Sequence, residues 1–264
     1  MRTRLDAKLP RSMPSPKSIL LIATPAPLRT VTFHFKGKAH EFVVPPTYGS
    51  AAQVIRRLRN ILKDGRKSTP FRLAAAFPPL KLLAVRSGLA MYGRNNVTYV
   101  PEFGSFHKLT AFYSDLEAPD VGWGEKRVLP KCDKCKACVS ACPTGAIPKD
   151  RFLLRAERCL SFMNERTSKH AFPAWIKPEW HNAIVGCMTC QRACPYDRRF
   201  MNKIETGESF SEEETEYLLK GKYSGNKATA LRRKLERADL DISTFPRNLE
   251  ALLSKSGANP NNSD

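Results

Sequence analysis

Apolar residues in this chain fall into short runs and short periodic stretches. Ile19 to Ala23 is an aliphatic run inside a segment, Ser18 to Thr24, that predicts a buried strand. Val31 to Phe35 alternates apolar and polar positions as a half-buried strand does. Gly37 and Lys38 supply a turn, and His40 to Val44 predicts the returning strand, which Pro45-Pro46 ends. Ser50-Ala51-Ala52-Gln53 has the spacing of a capping box. Val54, Ile55, Leu58, Ile61 and Leu62 follow at helical intervals up to Gly65. Asn96 to Val100 and Leu109 to Tyr113 predict two further strands, so the first 116 residues mix strands with helices.

The pattern changes after Leu116. Ala118-Pro119-Asp120 and Gly122-Trp123-Gly124 read as a connection, and no strand is expected between Pro130 and Tyr196. Ser211-Glu212-Glu213-Glu214 is a second capping box, its carboxylates in the first turn, where the helix dipole favours them. Short helices are expected over Ala228 to Glu236 and Arg247 to Leu253. These boundaries divide the chain into a basic, proline-rich flexible lead-in (1–17), a mixed domain (18–118), a cysteine module (125–200), C-terminal helices (201–254) and a disordered tail (255–264). The expected class is α+β.

Composition narrows the picture. The 264 residues are 42% hydrophobic, enough for a sizeable core, and 44 Lys+Arg against 25 Asp+Glu give a formal charge of +19. No apolar run approaches the roughly twenty residues of a bilayer-spanning helix. No signal-peptide or twin-arginine pattern follows Met1, so a cytoplasmic protein is expected. No glycine-rich dinucleotide loop after a strand, phosphate loop or serine-nucleophile elbow is present, which removes support for nicotinamide, nucleotide and serine-hydrolase chemistry.

The eight cysteines carry the chemistry. Cys132, Cys135, Cys138 and Cys142 stand at C-x2-C-x2-C-x3-C with Pro143 next, the run of bacterial two-cluster ferredoxins, whose fourth cysteine ligates the other cluster. Cys187, Cys190 and Cys194, followed by Pro195, form a second run, and Cys159 lies between the two. The crossover assigns Cys132, Cys135, Cys138 and Cys194 to one 4Fe-4S cluster and Cys142, Cys159, Cys187 and Cys190 to the other. Gly145 and Gly186 are expected to let backbone approach a cluster. Metal binding is then folding energy, and the apo module is expected to be labile.

Other readings compete. A disulfide framework does not suit a reducing compartment or three cysteines spaced by two. Paired zinc sites are the main rival, but they do not need the third cysteine, the x3 step or both prolines. His34, His40, His107, His170 and His181 each stand alone and are expected on the surface or in packing. For Trp123, Trp175 and Trp180, core packing is expected ahead of shielding a cluster.

Leu83-Ala84-Val85-Arg86-Ser87-Gly88-Leu89-Ala90, then Gly93-Arg94-Asn95, Gly104-Ser105-Phe106 and Asp115-Leu116, resemble the stretch that precedes the clusters in epoxyqueuosine reductases. The likeness continues through Cys142-Pro143-Thr144-Gly145-Ala146-Ile147, Arg158-Cys159-Leu160-Ser161 and Gly186-Cys187 with Cys190-Gln191, covering roughly Pro79 to Tyr196. The resemblance implies a ferredoxin-like two-cluster module on a reductase-like α/β domain. It also implies electron flow through two 4Fe-4S clusters to a corrinoid (cobalamin) that reduces an epoxide on a tRNA nucleoside. Two departures stand beside it. Where the family has an aspartate thought to donate the proton, this chain has Leu73-Ala74-Ala75-Ala76, and the N-terminal part is shorter, so a partial reductase-like domain is expected.

The functional expectation is an iron-sulfur redox protein relaying single electrons to an acceptor, such as a bound corrinoid. Its alternatives are an epoxyqueuosine reductase acting on tRNA and a zinc-stabilised nucleic-acid-binding module. No catalytic residue or further cofactor-binding residue is assigned. The basic stretches Arg56 to Lys67 and Lys227 to Arg237 suit docking of an acidic electron donor such as a ferredoxin or flavodoxin, or plain solvation, ahead of tRNA phosphates.

Overall fold

The computed structural model describes residues 9–48, 54, 56, 58, 60, 71–119 and 122–257. Its class is α+β: two three-stranded sheets and a small hairpin, a largely irregular cysteine segment, and short C-terminal helices. The first sheet has β7 (His107–Ser114) at its centre, with β1 (Ser18–Pro25) and β4 (Leu73–Ala76) antiparallel on either side. In the second, β2 (Leu28–Phe35) is central. It pairs antiparallel with β3 (Lys38–Val44) and parallel with β8 (Ile204–Phe210). The predicted turn between β2 and β3 is a two-residue connection in which both Lys36 and Gly37 have positive φ, 49° and 68°, the geometry that matches strand twist in a tight hairpin.

The β2–β8 pairing joins distant parts of the chain. Its register shifts between Thr30 and Thr32, and there a side chain on Gly207 would stand 2.5 Å from the Thr30 carbonyl oxygen, so the irregularity requires glycine. Phe33 of β2 stacks on Phe210 of β8 at 4.7 Å between ring centroids. Val31, Phe35 and Val44 share that core with Ile184 and with Leu218, Leu231, Leu235, Leu249 and Leu253. These leucines come from α5 (Glu212–Lys220), α6 (Gly225–Arg237) and α7 (Arg247–Lys255), the three helices after β8. The earlier helices are α1 (Leu80–Arg86), α2 (Ala137–Ala141), α3 (Leu160–Glu165) and α4 (Thr189–Arg192).

Most expected elements are present, with informative differences. Ser211 caps α5 in a full capping box with Glu214. Val54, Arg56, Leu58 and Asn60 are helical, with Val54 and Leu58 half-buried, whereas the cap at Ser50 and most of that helix lie outside the described residues. The strand expected over Asn96 to Val100 is only β6 (Thr98–Tyr99), paired with β5 (Met91–Tyr92), because Asn96 turns the chain with φ 59°. Met13, in the segment read as a lead-in, is buried against Ala76, Ala111 and Tyr113, so the packed chain begins ahead of Ser18. At the other end α7 runs to Lys255, and residues 258–264 lie outside the described residues. Among the described residues no helix is long and apolar enough to cross a membrane.

Candidate metal centre

The cysteine segment is held by short helices that prolines interrupt. Cys138 lies in α2 and Cys190 in α4, and the two helices pack together. Cys142 precedes Pro143, which disfavours helical backbone at the residue before it. Accordingly α2 stops at Ala141, and Cys142 is extended with φ −71° and ψ 108°. Cys159 sits immediately before α3, with its φ and ψ also extended.

The thiols gather in two adjacent groups. Cys142, Cys159, Cys187 and Cys190 all line one cavity of about 440 Å³. Burial and the neighbouring Cys132, Cys194 and Cys135 push the Cys138 thiol up to about 11. Burial, then Cys187, Cys159 and Cys138, raise that of Cys190. Cys138 stands near thiols of both groups. All eight cysteines are free and half-buried.

Polar atoms face the sulfurs. The Thr144 hydroxyl lies 3.4 Å from Cys142 Sγ, Asn182 Nδ2 donates to Cys187 Sγ at 3.4 Å, and Thr189 Oγ1 is 3.4 Å from the same sulfur. The Tyr99 hydroxyl stands close to both Cys194 and Asp197. Such partners hold and tune metal-bound thiolates. Burial also raises the Cys159 and Cys194 thiols, so a bare thiolate is disfavoured at both sites and a coordinated one is not. Among the described residues no group of three or more His, Cys, Asp or Glu is gathered as a single ion requires. A tetrahedral zinc would need four sulfurs at about 2.3 Å from one ion. A cubane takes one thiolate at each of four separate irons, and the quartets suit it.

The two glycines share a backbone conformation and differ in their surroundings. Gly145 and Gly186 have positive φ, 63° and 67°. A side chain at Gly186 would meet the Tyr48 ring at 2.7 Å, so that backbone makes room for a tyrosine. The tryptophans differ as well: Trp123 and Trp175 are exposed, each with an arginine over its ring, and only Trp180 packs into an apolar cluster. His107 and His181 are buried packing residues. His107 accepts from Thr98 and donates to the Gly104 carbonyl at 3.0 Å, and burial lowers its pKa, which fixes a neutral ring.

Beside the second quartet the cavity is lined by Tyr48, Lys81, Asn95, His107 and Glu165. The Tyr48 hydroxyl donates to Glu165, and burial followed by that carboxylate raises its pKa. Lys81 Nζ holds the Asn96 carbonyl and side-chain oxygens at 3.2 Å each. Nothing in the sequence pattern singles out Tyr48, Lys81 or Glu165; they meet only through the fold. Leu73 to Ala76 form the acid-free strand β4.

Residues 131–197 match the family described as a 4Fe-4S double cluster binding domain. The chain is similar to epoxyqueuosine reductases. It is 31% identical to that of Escherichia coli K12 over 159 residues, 60% of this chain and 40% of the relative, and 24% identical to that of Bacillus cereus over 201 residues, 70% and 50%. It therefore spans two fifths to half the length of these relatives. The epoxyqueuosine reductase of Bacillus subtilis, solved with a catalytic aspartate loop swung out of its active site, superposes with a TM-score of 0.62 at 21% identity, covering 94% of this chain and 67% of that one. An epoxyqueuosine reductase bound to an epoxyqueuosine-modified tRNA-Tyr stem loop gives 0.62 at 23%, covering 94% and 68%. At these identities the likeness is one of fold.

Proposed function

We propose that Cys132, Cys135, Cys138 and Cys194 hold one 4Fe-4S cluster, that Cys142, Cys159, Cys187 and Cys190 hold the other, and that the chain is a reductase of the epoxyqueuosine reductase type. One observation carries the reading: four cysteines from three separate stretches of chain line the same 440 Å³ cavity. Bound clusters would supply one-electron transfer. The chain's own residues would supply the rest. Asn95, Asn96 and Thr98 offer hydrogen bonds to a polar ligand, Lys81 a positive charge, and Leu80, Ile147 and Leu160 an apolar wall. The names of the relatives point to an epoxide-bearing nucleoside of tRNA as substrate, and a corrinoid is the accessory cofactor to test in the same cavity.

A second reading, an electron carrier without epoxide chemistry, is favoured by the acid-free β4. Both readings take their electrons from an acidic donor of the ferredoxin or flavodoxin kind. Anaerobically purified protein should be brown and hold about eight irons. It should then convert epoxyqueuosine to queuosine in tRNA when supplied with reductant, with or without added cobalamin. Loaded protein with no turnover would leave the carrier, and colourless zinc protein would overturn both.

A further inference from the structure

The approach to the first quartet has a surface of its own. A depression of about 420 Å³ is lined by Tyr99, Leu129, Pro195 and Tyr196, with Lys131 and Arg199 at its edge. Its floor leads inward, since Pro195 and Tyr196 of the lining directly follow Cys194 in the chain. The Lys131 ammonium lies 5.4 Å from the centre of the Tyr196 ring, and Arg199 is fixed by donating to the Pro101 carbonyl at 2.8 Å. Lys134, Lys136 and Arg198 are also exposed and flank Cys135 and Pro195 in the chain. Among the described residues none of the ion pairs involves these five cations. Acids within 131–136 and 194–199 are only Asp133 and the buried Asp197.

The basic helix α6 makes a contrast. Lys227 pairs with Glu213, Lys234 with Glu214 at 2.5 Å and Arg237 with Glu208 at 2.6 Å, so three of its cations are answered within the protein. Among the described residues, the five cations beside the first quartet carry no such ion pair.

We infer that this cation-rimmed depression docks an acidic one-electron carrier protein and is the port through which electrons enter. The inference rests on the proposed cluster ligation. An apolar floor limits water beside Cys194, while the rim attracts a negative partner and raises its association rate. One electron leaves the reduced carrier and one enters the protein; no bond forms or breaks and no proton moves.

The test is stopped-flow reduction of the anaerobic, cluster-loaded protein by flavodoxin hydroquinone, followed by bleaching of the cluster absorbance. Photoreduced deazaflavin serves as a small reductant for comparison. The Lys131→Glu, Arg199→Glu double variant should slow the flavodoxin reaction about tenfold at low salt, with the difference closing as salt screens the charges. Its iron content and deazaflavin reduction should match the parent. If the double variant does not hold iron, Lys134→Gln and Arg198→Gln, at exposed cations of the same two chain segments, should each slow flavodoxin about twofold. Unchanged flavodoxin rates in iron-loaded rim variants would overturn the inference. So would a slowing produced instead by Arg232→Glu with Arg233→Glu on α6, or a rim effect confined to retention of tRNA. Protein that holds no iron in any form would instead refute the cluster assignment.

Discussion

Ser105 and Asp197, ninety-two positions apart, are bound to each other twice: Ser105 N donates to Asp197 Oδ1 at 2.9 Å and Ser105 Oγ to Oδ2 at 2.6 Å. Both residues are fully buried, and Gln191 Nε2 donates to the same serine hydroxyl at 2.8 Å. Gly104 stands so close that a side chain there would meet Asp197 Oδ1 at 2.5 Å. The pair clamps the strand-bearing part of the chain to the turn that follows Cys194.

Asp197→Ala removes the acceptor and strands two buried donors, which should destabilise the protein by about 3 kcal/mol. Asp197→Asn keeps one acceptor oxygen and should cost less than half of that. Thermal unfolding of anaerobic protein checks the ranking. Equal stability of parent and alanine variant would show that water replaces the carboxylate.

His181 gives the fold a pH dependence. Burial, with Arg247 and Lys255 nearby, pushes its imidazole from 6.5 down to about 4. Between those values the unfolded chain holds the proton and the folded chain does not, so stability falls as pH falls from 6.5 toward 4. The loss is up to about 3 kcal/mol across that window. His181→Phe, which keeps a ring against Phe172, should flatten the dependence when denaturation midpoints are compared at pH 5 and pH 7. A parallel fall in parent and variant would assign it to other groups.

How much of this was legible in the sequence differs by element. The β2–β3 hairpin was readable because alternation and Gly37 are local signals. The strand β8 was not: Ile204 to Phe210 is mostly polar and exposed, and what makes it a strand is pairing with β2, far back in the chain. The two cysteine runs were readable because their spacing is a local signal, and residues 131–197 match a double-cluster domain. Asp197 stands beside Arg198 and Arg199 and reads as a surface acid; only the fold buries it against Ser105. Tyr48, Lys81 and Glu165 likewise meet only once the sheets and α3 are in place.

Removing one member of the cavity quartet should separate the two metal sites. Cys159 comes from outside both cysteine runs and lines the cavity with Cys142, Cys187 and Cys190. Cys159→Ala should leave the other quartet intact and lower bound iron from about eight to about four per chain. Iron determination with low-temperature paramagnetic resonance of the reduced protein checks this. Retention of the full complement would move Cys159 out of the ligand set.

Tyr99 should set the potential of the other site. Its hydroxyl accepts from Asn95 Nδ2 at 3.0 Å, which leaves its proton for Cys194 or Asp197. The ring is held in place, since a side chain at Gly93 would meet it at 2.4 Å. A hydrogen bond to a ligating sulfur favours the more negative, reduced state, so Tyr99→Phe should lower the potential of that cluster alone. The expected fall is about 40–60 mV, the one-electron equivalent of about 1 to 1.5 kcal/mol for one lost hydrogen bond. Redox titration followed by paramagnetic resonance distinguishes the two clusters. If both potentials stay in place with iron unchanged, the proton belongs to Asp197, and the variant should then show its effect in thermal stability instead.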